Sequence, residues 1–213
     1  MNPRPRRRRT PAETRERHAS VTEQGPVMDA AARFLEARPR SVAETRRRLT
    51  DAGYPAPLVD DVLVRLEELG YLDDEAFAKA WVESRDRAHP RGEGALRREL
   101  ALKGIATDLV AAVLAERRAP GPDERVGAEP SAFEPHRVRV ASDPDLDGAL
   151  RLLGRRSTAL LRESDARRRR QRAYALLARQ GFDPGTCRDA VEAWAATPSP
   201  GDPLAPPPDI ADV

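Results

Sequence analysis

One short pattern occurs three times in this chain and restricts its fold more than any other feature. The segments RRRLTDAGYPAPLVDDVL, RRELALKGIATDLVAAVL and AYALLARQGFDPGTCRDAV bring Gly53, Gly104 and Gly181 into register. Each glycine follows a leucine by four residues (Leu49, Leu100, Leu177) and precedes a large apolar residue (Tyr54, Ile105, Phe182). Further apolar positions fall six, nine and ten residues beyond it. A helix closed by a left-handed glycine, a hydrophobic clamp after it and a second helix folding back satisfies all of these positions. The expected fold is therefore all-α: three tandem three-helix repeats stacked into an elongated, curved body.

The glycines are 51 and 77 residues apart, and the extra 26 match a proline-rich stretch between repeats two and three. None of the 20 prolines lies inside a stretch of helical periodicity, so the breakers draw the helix map. Helices are expected near 27–38, 42–52, 57–69, 74–88, 93–103, 108–118, 145–162, 165–180 and 185–196. Gly148 and Gly154 make the seventh the poorest helix former, short and glycine-interrupted. The organisation that follows is a disordered basic arm over 1–26, repeats over 27–70 and 71–119, a linker over 120–144, a third repeat over 145–196 and a disordered tail over 197–213. Arm, linker and tail hold too few apolar side chains to offset the entropy of ordering.

Composition agrees. Aromatic residues make up 4% and charged residues 34%, and the apolar material is mostly Ala, Leu and Val, which suits helix packing. The single cysteine, Cys187, excludes an intramolecular disulfide and aligns with the core positions Val59 and Val110, so it is read as a buried small hydrophobe. No apolar run approaches the ~20 residues of a membrane helix, and no apolar segment follows the N-terminal arginines as in a secretory signal. The expectation is a cytoplasmic monomer. His18, His89 and His136 are scattered over an arm, a junction and a linker, and Gly92-Glu93-Gly94 lacks the lysine and hydroxyl of a phosphate-binding loop. No catalytic constellation, cofactor site or metal site is expected.

The most specific string is Leu69-Gly-Tyr-Leu-Asp-Asp-Glu-Ala-Phe77. Gly70 should end one helix, Tyr71 and Leu72 should pack over the junction, and Asp73 or Asp74 should cap the next helix, on which Phe77 and Trp81 share a face. With this string, Arg91-Gly92 and the segment Leu96 to Ile105, the chain resembles the RecX family. Arg40-Ser41, Glu44, Leu49, Gly53 and Arg179-Gln-Gly-Phe182 fit the same pattern. The resemblance spans residues 28 to 118 and, more loosely, 145 to 196. It implies a bacterial protein that acts in recombination, repair and the SOS response. Such a protein would bind the RecA–DNA filament and damp its ATPase and strand exchange.

Charge sorts by helix within the repeats. The second helices are basic, with Arg40, Arg46, Arg47 and Arg48 against Glu44, then Arg91, Arg97, Arg98 and Lys103 against Glu93 and Glu99, then seven arginines from Arg162 to Arg179 against Glu163 and Asp165. The third helix of repeat one is acidic, with Asp60, Asp61, Glu67 and Glu68 against Arg65. A helix-turn-helix reading would set acidic third helices in the major groove, which phosphate repulsion disfavours. Arg40, Arg46, Arg47, Arg91, Arg97, Arg98, Lys103, Arg168 and Arg172 are the candidates for contact with a RecA filament or, weakly and without sequence preference, with DNA. Solvated helix faces, or an adaptor for another acidic protein, are the competing readings.

Overall fold

A computed structural model describes residues 10–119 and 143–197. Among the described residues the regular structure is entirely helical. The helices are α1 (Pro11–Ala19), α2 (Gln24–Leu35), α3 (Val42–Asp51), α4 (Ala56–Glu68), α5 (Asp74–Ala88), α6 (Glu93–Leu102), α7 (Thr107–Arg118), α8 (Pro144–Leu161), α9 (Ala166–Arg179) and α10 (Pro184–Ala196).

Each terminating glycine is left-handed, with φ of 97° at Gly53, 78° at Gly104 and 84° at Gly181, and Gly70 joins them at 73°. After each, the clamp residue returns its N–H to the carbonyl of the leucine five residues back. Tyr54 reaches Leu49 at 3.2 Å, Ile105 reaches Leu100 at 3.1 Å, Phe182 reaches Leu177 at 3.4 Å and Tyr71 reaches Leu66 at 2.9 Å. This closes helix-end carbonyls that would otherwise be orphaned. Leu49, Leu100 and Leu177 are fully buried, as are the matched positions Val59, Val110 and Cys187. Burial also pushes the Cys187 thiol above its ordinary range.

The described residues fall into two compact units. The first holds the residues up to Val82 together with Arg98–Val113, and the second holds Glu83–Arg97 together with the residues from Leu114 on. The division does not follow the repeats, because α5, α6 and α7 of repeat two each contribute to both. In the first unit α2, α3 and α4 surround a core of Val27, Leu49, Val59, Val62, Leu63 and Leu66. In the second, α8, α9 and α10 surround Ala149, Leu153, Leu177, Phe182, Cys187 and Ala190.

Three expectations are corrected. Residues 11–19, assigned to a disordered arm, form α1, while residues 1–9 lie outside the described residues. Thr10 caps that helix reciprocally with Glu13, Pro11 presets its first turn, and His18 stacks on Tyr54 at 4.2 Å. Polar and aromatic contacts thus do what the missing aliphatic residues could not. The first helix of repeat three lies within one residue of the expected 145–162 but is not the short, interrupted helix described for it: α8 runs 18 residues unbroken through both glycines. Gly148 is buried against Pro90 and Phe182, so close packing offsets its low propensity. Finally, Tyr71 does not pack over its junction but is 69% exposed, and only Leu72 turns inward, at 3%. Of the expected linker, 120–142 lie outside the described residues, as do 198–213 of the tail; Asp143 and Pro144 already belong to the start of α8.

Candidate functional site

Three of the four glycine ends, Gly53, Gly104 and Gly181, are docking points. In the first unit, the C-terminal end of α6 meets the start of α3. Ser41 caps α3 by accepting the Glu44 N–H at 3.1 Å, and its hydroxyl donates to the Lys103 carbonyl at 2.6 Å. Lys103 Nζ bonds Glu44 Oε1 at 2.7 Å and lies 4.9 Å from the Trp81 ring centre. A Cβ on Gly104 would stand 2.3 Å from that of Ala43, so the approach requires glycine. Asp74, the first residue of α5, accepts the Val42 N–H at 2.9 Å, while Asp73 caps its own helix through the Ala76 N–H at 2.8 Å. The two aspartates therefore cap two different helices. Phe77 and Trp81 stack at 6.0 Å, as expected of one helix face.

In the second unit the same arrangement recurs with other residues. Gly92 stands 51 positions after Ser41 and donates its N–H to the Gln180 carbonyl at 3.1 Å. A Cβ on Gly92 would fall 2.3 Å from the backbone of Phe182, and one on Gly181 would fall 2.5 Å from the Ala95 Cβ. Asp145, in the first turn of α8, accepts the Glu93 N–H at 2.9 Å, as Asp74 does for Val42. Its other oxygen receives Arg117 Nη1 at 2.6 Å. Arg117 also forks onto Asp86, with both bonds at 2.8 Å, and its side chain is only 8% exposed. Arg118 and Arg97 both hold Glu93.

These environments set the carboxylates apart. Burial pushes Asp74 and Asp145 above the usual aspartate range, and the hydrogen bonds and, at Asp145, Arg117 recover only part of that cost. For Glu44 and Glu93 burial acts in the same direction, but Lys103 in one case and Arg97 with Arg118 in the other outweigh it and hold both below the usual glutamate range.

Most of the candidate cations are already engaged. Arg46 pairs with Asp60, Lys103 with Glu44 and Arg172 with Glu163 at 3.1 Å. Arg97, expected to be free on the surface, is half-buried and bonds Glu93 at 2.6 Å. Arg40 lies 4.2 Å over the Phe34 ring, and Arg91 bonds the Gln180 side chain. Arg47, Arg98 and Arg168 are exposed and have no acidic partner among the described residues. Arg47 and Arg98 each lie six residues before a terminating glycine, so they occupy one register position in two repeats. Sequence reasoning missed Arg117, Asp86 and Asp145. It read Gly92 against a phosphate-loop pattern and, with Arg91, as part of the family resemblance, but not as a close backbone approach, although Gly92 stands 51 residues after the helix-capping Ser41.

Among the described residues no helix is long and apolar enough to cross a membrane, and no group of three metal-ligating side chains is brought together.

Comparison with known proteins matches residues 28–66 to the first three-helix domain of RecX and residues 73–114 to the second. A protein of Mycobacterium sp. strain JLS named regulatory protein RecX is 39% identical over 110 residues, covering 46% of this chain and 60% of that protein. This chain thus spans less than two thirds of that relative. The regulatory protein RecX of Mycolicibacterium vanbaalenii is 36% identical over 129 residues, covering 61% of this chain and 69% of the relative. The crystal structure of RecX from Lactobacillus salivarius superposes with a TM-score of 0.62 at 13% identity, over 80% of this chain and 96% of that one, which shows a shared fold.

Proposed function

The chain belongs to the RecX family, and from that premise we propose that it binds the RecA–DNA filament and restrains RecA's ATPase and strand exchange without catalysing a reaction of its own. The observation that carries this reading is the pair Arg47 and Arg98. Both are exposed, both lack an acidic partner among the described residues, and both occupy one register position of the repeat. A guanidinium left unpaired at matched sites, while its neighbours at Arg46 and Arg97 are neutralised, is suited to an external phosphate or carboxylate. Arg168 on α9 is a third candidate of the same kind. The protein acts as a cytoplasmic monomer with weak, sequence-independent contact to DNA.

The test is the DNA-dependent ATPase of RecA with and without this protein. Inhibition should appear with the wild type and weaken at least tenfold when Arg47 and Arg98 are both reversed to Glu, with the helical spectrum unchanged. Absence of inhibition, together with no co-sedimentation with RecA filaments on single-stranded DNA, would favour the adaptor of an unrelated acidic protein.

A further inference from the structure

The first unit also holds a cavity of about 410 Å³ that no candidate cation named from the sequence explains. Its walls include His18 from α1, Arg33 and Phe34 from α2, Arg48 from α3, and Tyr54, and no acidic side chain lines it. His18 lies parallel to Tyr54, with ring centres 4.2 Å apart and planes inclined by 11°. Its Nδ1 carries a proton toward the Ala52 carbonyl at 2.7 Å, which holds the ring in place. Arg40 lies 4.2 Å over the Phe34 ring and Arg48 5.9 Å from its centre. Arg33 and Arg48 are exposed and have no carboxylate partner among the described residues.

A cavity edged by flat rings, with two guanidiniums beside them that no carboxylate of the described residues neutralises, matches a flat heterocycle joined to phosphates. An acidic peptide would satisfy the arginines but brings no flat group to set against the rings. We propose that this cavity binds single-stranded nucleic acid, seating one base against the His18, Tyr54 and Phe34 walls with the flanking phosphates on Arg33 and Arg48. One wall comes from α1, which precedes the residues matched to either RecX domain. The site does not depend on RecA, and the test omits RecA so that the two readings fail separately.

Fluorescence anisotropy of a labelled oligothymidylate, titrated with the full chain alone, reads the site. Arg33→Glu with Arg48→Glu should weaken binding about tenfold or more. It should also lower the slope of log affinity against log salt by about 1.4, since each single-strand phosphate contact contributes ~0.7. The wild type should prefer oligothymidylate to an abasic strand of equal length, and His18→Ala should lose about tenfold of that preference. Should His18→Ala prove unfolded by circular dichroism, Phe34→Leu in the same comparison replaces it. Equal binding of the abasic strand by the wild type, wild-type affinity in the double arginine variant, or equally strong competition by polyglutamate of matched charge would each overturn the proposal.

Discussion

The two docking joints place equivalent backbone positions together and hold them by different means. At the start of α3 a hydroxyl, a lysine and a glutamate make the contact, and the Lys103 and Glu44 side chains keep 20% and 16% exposure. At the start of α6 there is no side chain at the meeting point, and a nearly buried arginine gathers two aspartates nearby. The repeat therefore specifies a geometry, a left-handed glycine end against a helix start with an aspartate from the first helix of the following repeat capping it, and leaves the chemistry open. The consequence is unequal tolerance. A partly solvated pair contributes little, whereas a buried pair that loses one member leaves an uncompensated charge.

The largest expected effect is on the second joint. Arg117→Ala should destabilise the protein by ~3–5 kcal/mol in urea denaturation, because Asp86 and Asp145 would remain without their cation. Arg117→Met combined with Asp86→Asn and Asp145→Asn should recover most of the loss. Failure to recover it would mean that arginine packing, and not charge compensation, holds the joint.

Exchanging the meeting residues comes next. Gly92→Ser writes the first joint's residue into the second and should cost ~1–3 kcal/mol or more, since the new Cβ meets the Phe182 backbone. The reverse exchange, Ser41→Gly, forfeits a cap and one hydrogen bond and should cost about 1 kcal/mol. Equal costs would erase the distinction between the joints.

Gly53 has a docking partner of its own in α1. Arg15 donates to the Asp51 carbonyl at 3.1 Å, and a Cβ on Gly53 would lie 2.5 Å from Arg15 Cγ. Removing residues 1–22 should therefore lower stability by ~1–2 kcal/mol, read as a drop in thermal midpoint. An unchanged midpoint would reduce α1 to an ornament of the surface.

The smallest effect is the acid response. Glu44 and Glu93 are held below their ordinary value of 4.5, so their stabilisation is present above that value and fades as pH falls through the folded one. Asp74 and Asp145 act with the opposite sign: their contribution is full below 3.8 and is lost as pH rises through their raised folded values. Glu44→Gln with Glu93→Gln should lower stability at neutral pH and flatten its decline in acid, as followed by urea midpoints between about pH 3 and 7. An unaltered acid limb would place the responsible carboxylates elsewhere.

Nearly all of the helix pattern was legible before any coordinates, because its determinants are local. Prolines, capping residues and the glycine ends act within a turn or two of the chain. The expected 42–52 against the observed Val42–Asp51, and 74–88 matched at both ends, show how far that carries. The candidate site was less legible. Nine cations were named from charge alone, and the structure left three of them exposed without an acidic partner among the described residues, since whether an arginine is free depends on where a distant carboxylate lands.

The amino-acid order alone settled the helical class, the register of the repeats, the burial of the leucines that precede the glycines and the kinship to RecX, since short-range sterics and hydrophobic periodicity leave them little choice. Only tertiary packing decided that α1 covers Gly53, that Gly92 must lack a side chain, that Asp74 caps a helix other than its own, and that Arg117 unites Asp86 with Asp145. Each of those depends on groups 28 or more residues apart meeting within about 4 Å. Such proximity is a property of how helices pack, and the local pattern that builds each helix carries no record of it.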